Sequence, residues 1–178
     1  MSDISEQQQR FKVVVLGPDS PKSQLDHFVE MMQRMYEYHA TLHTDWQPRP
    51  GWQEGSAEWL SGAAGSSNDY FFAVAYPLAP DGPELLDHPA GYIIGSFHYE
   101  APLFVQHRFG YIADLWSEEA YRTAGVGNQL LAKAYEWFKE QGVNRVQIEV
   151  DVKNPGGQKF WEKAGFEPFE IVMRKSLE

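Results

Sequence analysis

Cysteine is absent from this 178-residue chain. That excludes a disulfide framework, a thiolate metal site and a catalytic thiol. Long apolar runs are absent as well. The longest, such as Phe71 to Tyr76, are strand-sized, far short of the roughly 20 residues that span a bilayer. No membrane partner is expected. Basic residues are scarce, 15 Lys and Arg against 25 Asp and Glu, for a net charge of −10. Non-specific nucleic-acid binding needs a basic face, so no nucleic-acid partner is expected either. The acidic balance would suit a cationic substrate, or serve solubility alone. Met1 to Arg10 lacks the basic start and apolar core of a secretory signal. It reads as a flexible polar lead-in on a cytoplasmic protein. No metal is expected: His39 and His43 stand four apart without the carboxylate pattern of a zinc site, and read as a helix-surface pair.

What is present is ordinary globular composition, 43% hydrophobic and 22% charged, in a length that fits one domain over residues 1–178. Phe11 to Leu16 is a β-branched run closed by Gly17-Pro18-Asp19-Ser20, a strand and a turn. Leu25 to His43 carries apolar residues at helical spacing, from Leu25, Phe28 and Val29 through Met32, Met35 and Tyr36. Gln47 to Asn68 predicts a loop with a short helix near Ser56 to Leu60. Strands are predicted over Asp69 to Tyr76, Gly91 to Tyr99 and Phe109 to Leu115, with a proline-rich turn from Pro77 to Pro89. Gly125 to Gln141 reads as a helix with a Leu130, Leu131, Ala134, Tyr135, Phe138 stripe and a stop at Gly142. Arg145 to Asp151 alternates as a fifth strand, Asn154 to Ala164 is a helix, and Phe166 to Arg174 a last strand. Antiparallel strands followed by a strand–helix–strand unit predict a mixed α/β sheet containing a parallel pair.

The segment from Asp114 to Leu131 is the most informative. A strand runs into a loop that opens a helix through Arg122-x-x-Gly125-x-Gly127. Glycines there allow close backbone approach, first-turn N–H groups face an anion, and the helix dipole adds attraction. Arg122 adds a fixed charge. The set suits a pyrophosphate, though glycines for tight strand–helix packing would look the same. No Gly-Lys-Ser/Thr is present, and Leu130 stands where a dinucleotide fingerprint needs its third glycine.

Preceded by Asp114-Leu115 and followed by Leu130-Leu131-x-x-Ala134, this stretch resembles the acetyl-CoA-binding motif of the GNAT superfamily of N-acetyltransferases. Asn154, then Phe160-Trp161-Glu162-Lys163-Ala164-Gly165-Phe166, resembles that family's next helix, and Met173 to Leu177 its last strand. The resemblance covers about Asp114 to Leu177. Before Gly91 only the order of elements matches. It implies a mixed sheet whose two parallel strands splay apart, flanked by helices, with acetyl-CoA lying in the splay. The pyrophosphate would meet Arg122, Thr123, Ala124, Gly125, Val126, Gly127 and Asn128. The pantetheine would meet main-chain groups of Leu115, Trp116 and Ser117. Asn154, Phe160 and Trp161 would border the cofactor arm or the acceptor. A small amine would be the acceptor, and a homodimer stays open.

Members often carry a tyrosine acid in the aromatic pair. Trp161 stands there, and an indole N–H is no practical proton donor. Either it packs only, or another group or water protonates the thiolate, or the chain binds acyl-CoA without turnover. For the base, Asp114 comes first, next to the docking residues and where polyamine acetyltransferases also place acidic residues. Glu149 comes second, on a polar strand face turned to the cleft or to solvent; His98, Glu100 and Asp151 are further candidates. A peptide or protein acceptor is the other open reading. Acceptor loops, Asp45 to Asn68 and Ala101 to Arg108, vary freely within such folds.

Overall fold

The computed structural model describes residues 10–66, 69–105 and 107–177. The polar lead-in before Arg10 therefore lies outside the described residues, as do positions 67, 68 and 106 of the two acceptor loops. The chain forms two compact units, one reaching Ile148 and one beginning at Glu149.

In the first unit the order is β1 (Phe11–Val15), α1 (Lys22–Leu42), α2 (Trp52–Ser66), β2 (Tyr70–Pro77), β3 (Gly91–Tyr99), β4 (Arg108–Ser117), α3 (Val126–Glu140) and β5 (Val146–Ile148). The sheet runs β1-β2-β3-β4-β5. The first four strands pair antiparallel and β4–β5 is parallel. This is the mixed α/β sheet expected. β2 and most of β3 are buried on both faces, so both faces need a cover. On one, Phe28, Met31, Met32 and Met35 of α1 and Leu60 of α2 join Phe72, Val74, Tyr92 and Ile94. Each large side chain removed from water contributes roughly 1.5–3 kcal/mol. On the other, α3 buries its Leu130, Leu131, Ala134 and Phe138 stripe. The Phe138 ring sits over glycines: a Cβ at Gly110 would lie 2.7 Å from it.

Two features shape the end of β4. Its pairing with β5 covers only Gly110 to Ile112. Its pairing with β3 shifts register between Gly95↔Ile112 and Ile94↔Asp114, so Ala113 is the extra residue of a bulge. A bulge bends its strand, and β4 leaves β5 at that point. From Ala113 to Ser117, β4 keeps β3 on one side. No strand pairs with its other edge among the described residues.

Three expectations need correction. The helix expected near Ser56 to Leu60 runs for 15 residues. Gly55 and Gly62 weaken its local signal, but Leu60 and Ala63, one turn apart, are buried, and packing decides helix formation. β5 is three residues, not the seven from Arg145 to Asp151, because its partner bends away after Ile112. Phe166 to Arg174 forms no strand. Cross-strand pairing is what stabilises a strand; no strand ladder includes this segment among the described residues, and Pro168 supplies no N–H.

Candidate functional site

After Ser117 the chain makes a 3₁₀ turn over Glu119–Tyr121 and enters α3. Thr123 and Gly125 both take positive φ, 70° and 89°. Gly125 is the N-cap, without a side-chain cap. The first-turn N–H groups of Val126, Gly127 and Asn128 have no carbonyl a turn earlier and no capping oxygen. Arg122 is exposed; its Nε donates to the Ser117 carbonyl at 3.4 Å and its guanidinium lies 5.1 Å from the Trp116 ring centroid. The structure thus brings together Leu115, Trp116, Ser117, Arg122, Thr123, Ala124, Gly125, Val126, Gly127 and Asn128. They form an open strand edge leading into an uncapped, cationic helix N-terminus.

Asp114 lies on this strand just past the bulge. The hydroxyls of Tyr36 on α1 and Tyr92 on β3 both reach its Oδ2, at 3.4 and 3.3 Å. Tyr92 Oη also lies 3.3 Å from Met35 Sδ. Burial raises the carboxyl from its ordinary 3.8 to about 6, and the two tyrosine hydrogen bonds only partly offset that rise. Burial and the nearby carboxylate push both tyrosines upward, so they stay protonated and donate. No hydrogen bond to Oδ1 is formed among the described residues. The result is a partly exposed carboxylate, held by one oxygen and open at the other, with a proton affinity close to neutrality. That suits a group that accepts a proton. The sequence marked Asp114, but gave no sign of Tyr36 and Tyr92. They sit 78 and 22 positions away and read locally as helix stripe and strand core.

The remaining candidates are placed differently. Glu100 is paired to Arg145 at 3.0 Å, and His98 stacks on Tyr111 with ring centroids 4.1 Å apart. Glu149 is exposed and lies beyond the end of β5, at the start of the second unit; the polar strand face expected to carry it is not formed. In that second unit α4 (Pro155–Lys163) is capped by Asn154, whose Oδ1 accepts the Gly157 N–H at 2.9 Å. Such a cap contributes about 1 kcal/mol. Phe160 and Trp161 meet edge to face at 5.1 Å, and Trp161 meets Phe166 in the same way.

A family model for the GNAT acetyltransferase family matches residues 31–166, from α1 through α4. The chain belongs to that family. Among its relatives is an uncharacterized N-acetyltransferase of Methanocaldococcus jannaschii, 24% identical over 151 residues, 85% of this chain and 60% of that protein. The chain thus spans about 60% of the length of this curated relative. The fold recurs in the aminoglycoside N-acetyltransferase AAC(6′)-Iy bound to CoA, with a TM-score of 0.71, 15% identity, and 96% and 97% of the two chains covered. It recurs in a predicted acetyltransferase of Clostridium acetobutylicum solved with acetyl-CoA, with a TM-score of 0.70, 14% identity, and 94% and 97% covered.

Proposed function

We propose that this chain moves the acetyl group of acetyl-CoA to the primary amine of a small cationic acceptor, by direct attack in a ternary complex. The observation that carries the reading is Asp114, a carboxylate near pKa 6 beside an open strand edge and an anion-ready helix start. GNAT membership and the acetyl-CoA complex of a structural neighbour support the choice of donor.

The residues present fit that cosubstrate. The unpaired edge of Leu115, Trp116 and Ser117 offers backbone groups to amides. Arg122 and the N–H groups from Val126 to Asn128 offer charge and donors to a pyrophosphate. When bound, acetyl-CoA supplies the activated acyl group. Asp114 holds the acceptor ammonium and takes its proton at Oδ1, while Tyr36 and Tyr92 fix Oδ2. The amine is thereby made nucleophilic where it is bound.

Binding is checked first. Arg122→Ala should lose a charge-assisted contact worth roughly 1.5–3 kcal/mol, a drop of about tenfold to a hundredfold in acetyl-CoA affinity. Gly125→Val should lose more, because φ of 89° is strained for a β-branched residue. Calorimetry on both variants reads this out; unchanged affinity in both would put the cofactor elsewhere.

Trp161 should not serve as an acid. Trp161→Phe keeps an aromatic ring beside Phe166 and removes the N–H together with part of the indole. Turnover should then fall less than about tenfold, below the usual loss for a general acid. A thousandfold drop, far beyond about tenfold, with acetyl-CoA affinity intact would assign Trp161 a chemical role.

A further inference from the structure

Asp114 stands among aromatic rings. Trp116 lies two positions along β4, on the same face of the strand. Tyr36 reaches the carboxylate from α1, and its ring lies 5.0 Å from that of Trp52 at the start of α2. Tyr38 lies 6.0 Å from the Trp116 ring. All four rings, like Asp114, are partly exposed; Tyr36, Trp52 and Trp116 pack against the core on one side and border solvent on the other. The neighbouring carboxylate, Glu118, is engaged by Arg34 at 2.8 Å. The indole N–H of Trp116 is buried without a hydrogen-bond partner. A donor left in that state costs free energy unless a ligand satisfies it.

Resting on the acetyltransferase reading above, we propose that the acceptor is a monocationic primary amine with an aromatic or extended apolar body. Asp114 takes the ammonium. Tyr36, Tyr38, Trp52 and Trp116 lie along the body, where ring faces favour apolar surface and a single adjacent cation. An aminoglycoside brings several ammonium groups and many hydroxyls. One carboxylate among four rings leaves most of these desolvated and unpaired, which is strongly unfavourable. Spermidine has the same difficulty with its further charges.

The test is thiol release from acetyl-CoA with tyramine, 2-phenylethylamine, spermidine and kanamycin as separate acceptors. We expect kcat/KM for the two arylalkylamines to exceed that for either polycation by about tenfold or more. Trp52→Leu keeps an apolar side chain but loses the ring face and part of its packing on the core. Its KM for 2-phenylethylamine should rise about fivefold or more, with acetyl-CoA affinity close to wild type, measured below the variant's own melting temperature. Preference for spermidine or kanamycin overturns the inference and leaves acetyl transfer standing, as does an unchanged KM in a folded Trp52→Leu. Thiol release with none of the four amines overturns the inference together with the acetyltransferase reading beneath it.

Discussion

Gly91→Val is expected to destabilise the protein sharply. Gly91 pairs with Ser117 at the end of the β3–β4 ladder. A Cβ there would collide with the Trp116 carbonyl and lie 2.9 Å from Val126 Cγ1. The first obstacle is backbone and cannot rotate away. The second is the first residue of α3, so relief on either side displaces the strand end or the helix start that form the candidate cofactor site. Overpacking of this kind costs about 1–3 kcal/mol, and at a backbone clash at times more, a large share of a total stability of roughly 5–15 kcal/mol. Gly55→Ala is the control. A Cβ at Gly55 meets nothing within 4 Å, and alanine in a helix is favoured by up to about 1 kcal/mol over glycine. Thermal and urea unfolding of the two variants should move in opposite directions.

Asp114→Asn should separate stability from turnover. The carboxyl binds its proton more tightly in the folded state, at about 6 against 3.8. Its contribution to stability is therefore fully present below about pH 3.8, and is lost as pH rises through about 6. At neutral pH the charged form is carried at a cost of at most about 3 kcal/mol, reduced by the water that reaches it. Asparagine keeps an oxygen that accepts from Tyr36 and Tyr92 and carries no charge. The variant should melt higher than wild type at about pH 8, yet turn over acceptor about a hundredfold more slowly or worse. Its acetyl-CoA affinity should be nearly unchanged. Equal turnover, equal amine affinity and a superimposable pH profile would make Asp114 structural.

The sequence makes some of this legible and hides the rest, for physical reasons. Strand β3 and helix α3 could be read closely because their information is local: an apolar run bounded by turns, and a 3.6-residue stripe between Gly125 and Gly142. The phosphate loop is equally local, three marker residues within six positions. The mixed sheet follows from the order of elements. The site's long-range contacts are not written that way. No signal marks Ala113 as a bulge, because an extra residue shows only when β3 is laid beside β4. Tyr36 and Tyr92 become partners of Asp114 only when α1 packs on the sheet. The strand expected over Phe166 to Arg174 failed for the converse reason: its apolar residues suit a strand locally, but a strand exists only through a partner.

The measurement that bears most directly on the central claim is amine-dependent release of the coenzyme A thiol by the wild-type chain, followed from about pH 5 to about pH 9. The account predicts release that requires both acetyl-CoA and a primary amine. Its kcat/KM should rise through a limb near pH 6, the value set by burial of Asp114, and that limb should vanish in Asp114→Asn. Tight binding of acetyl-CoA with no amine-dependent release at any pH would contradict it, and would make the chain a sensor of acyl-CoA built on an acetyltransferase fold.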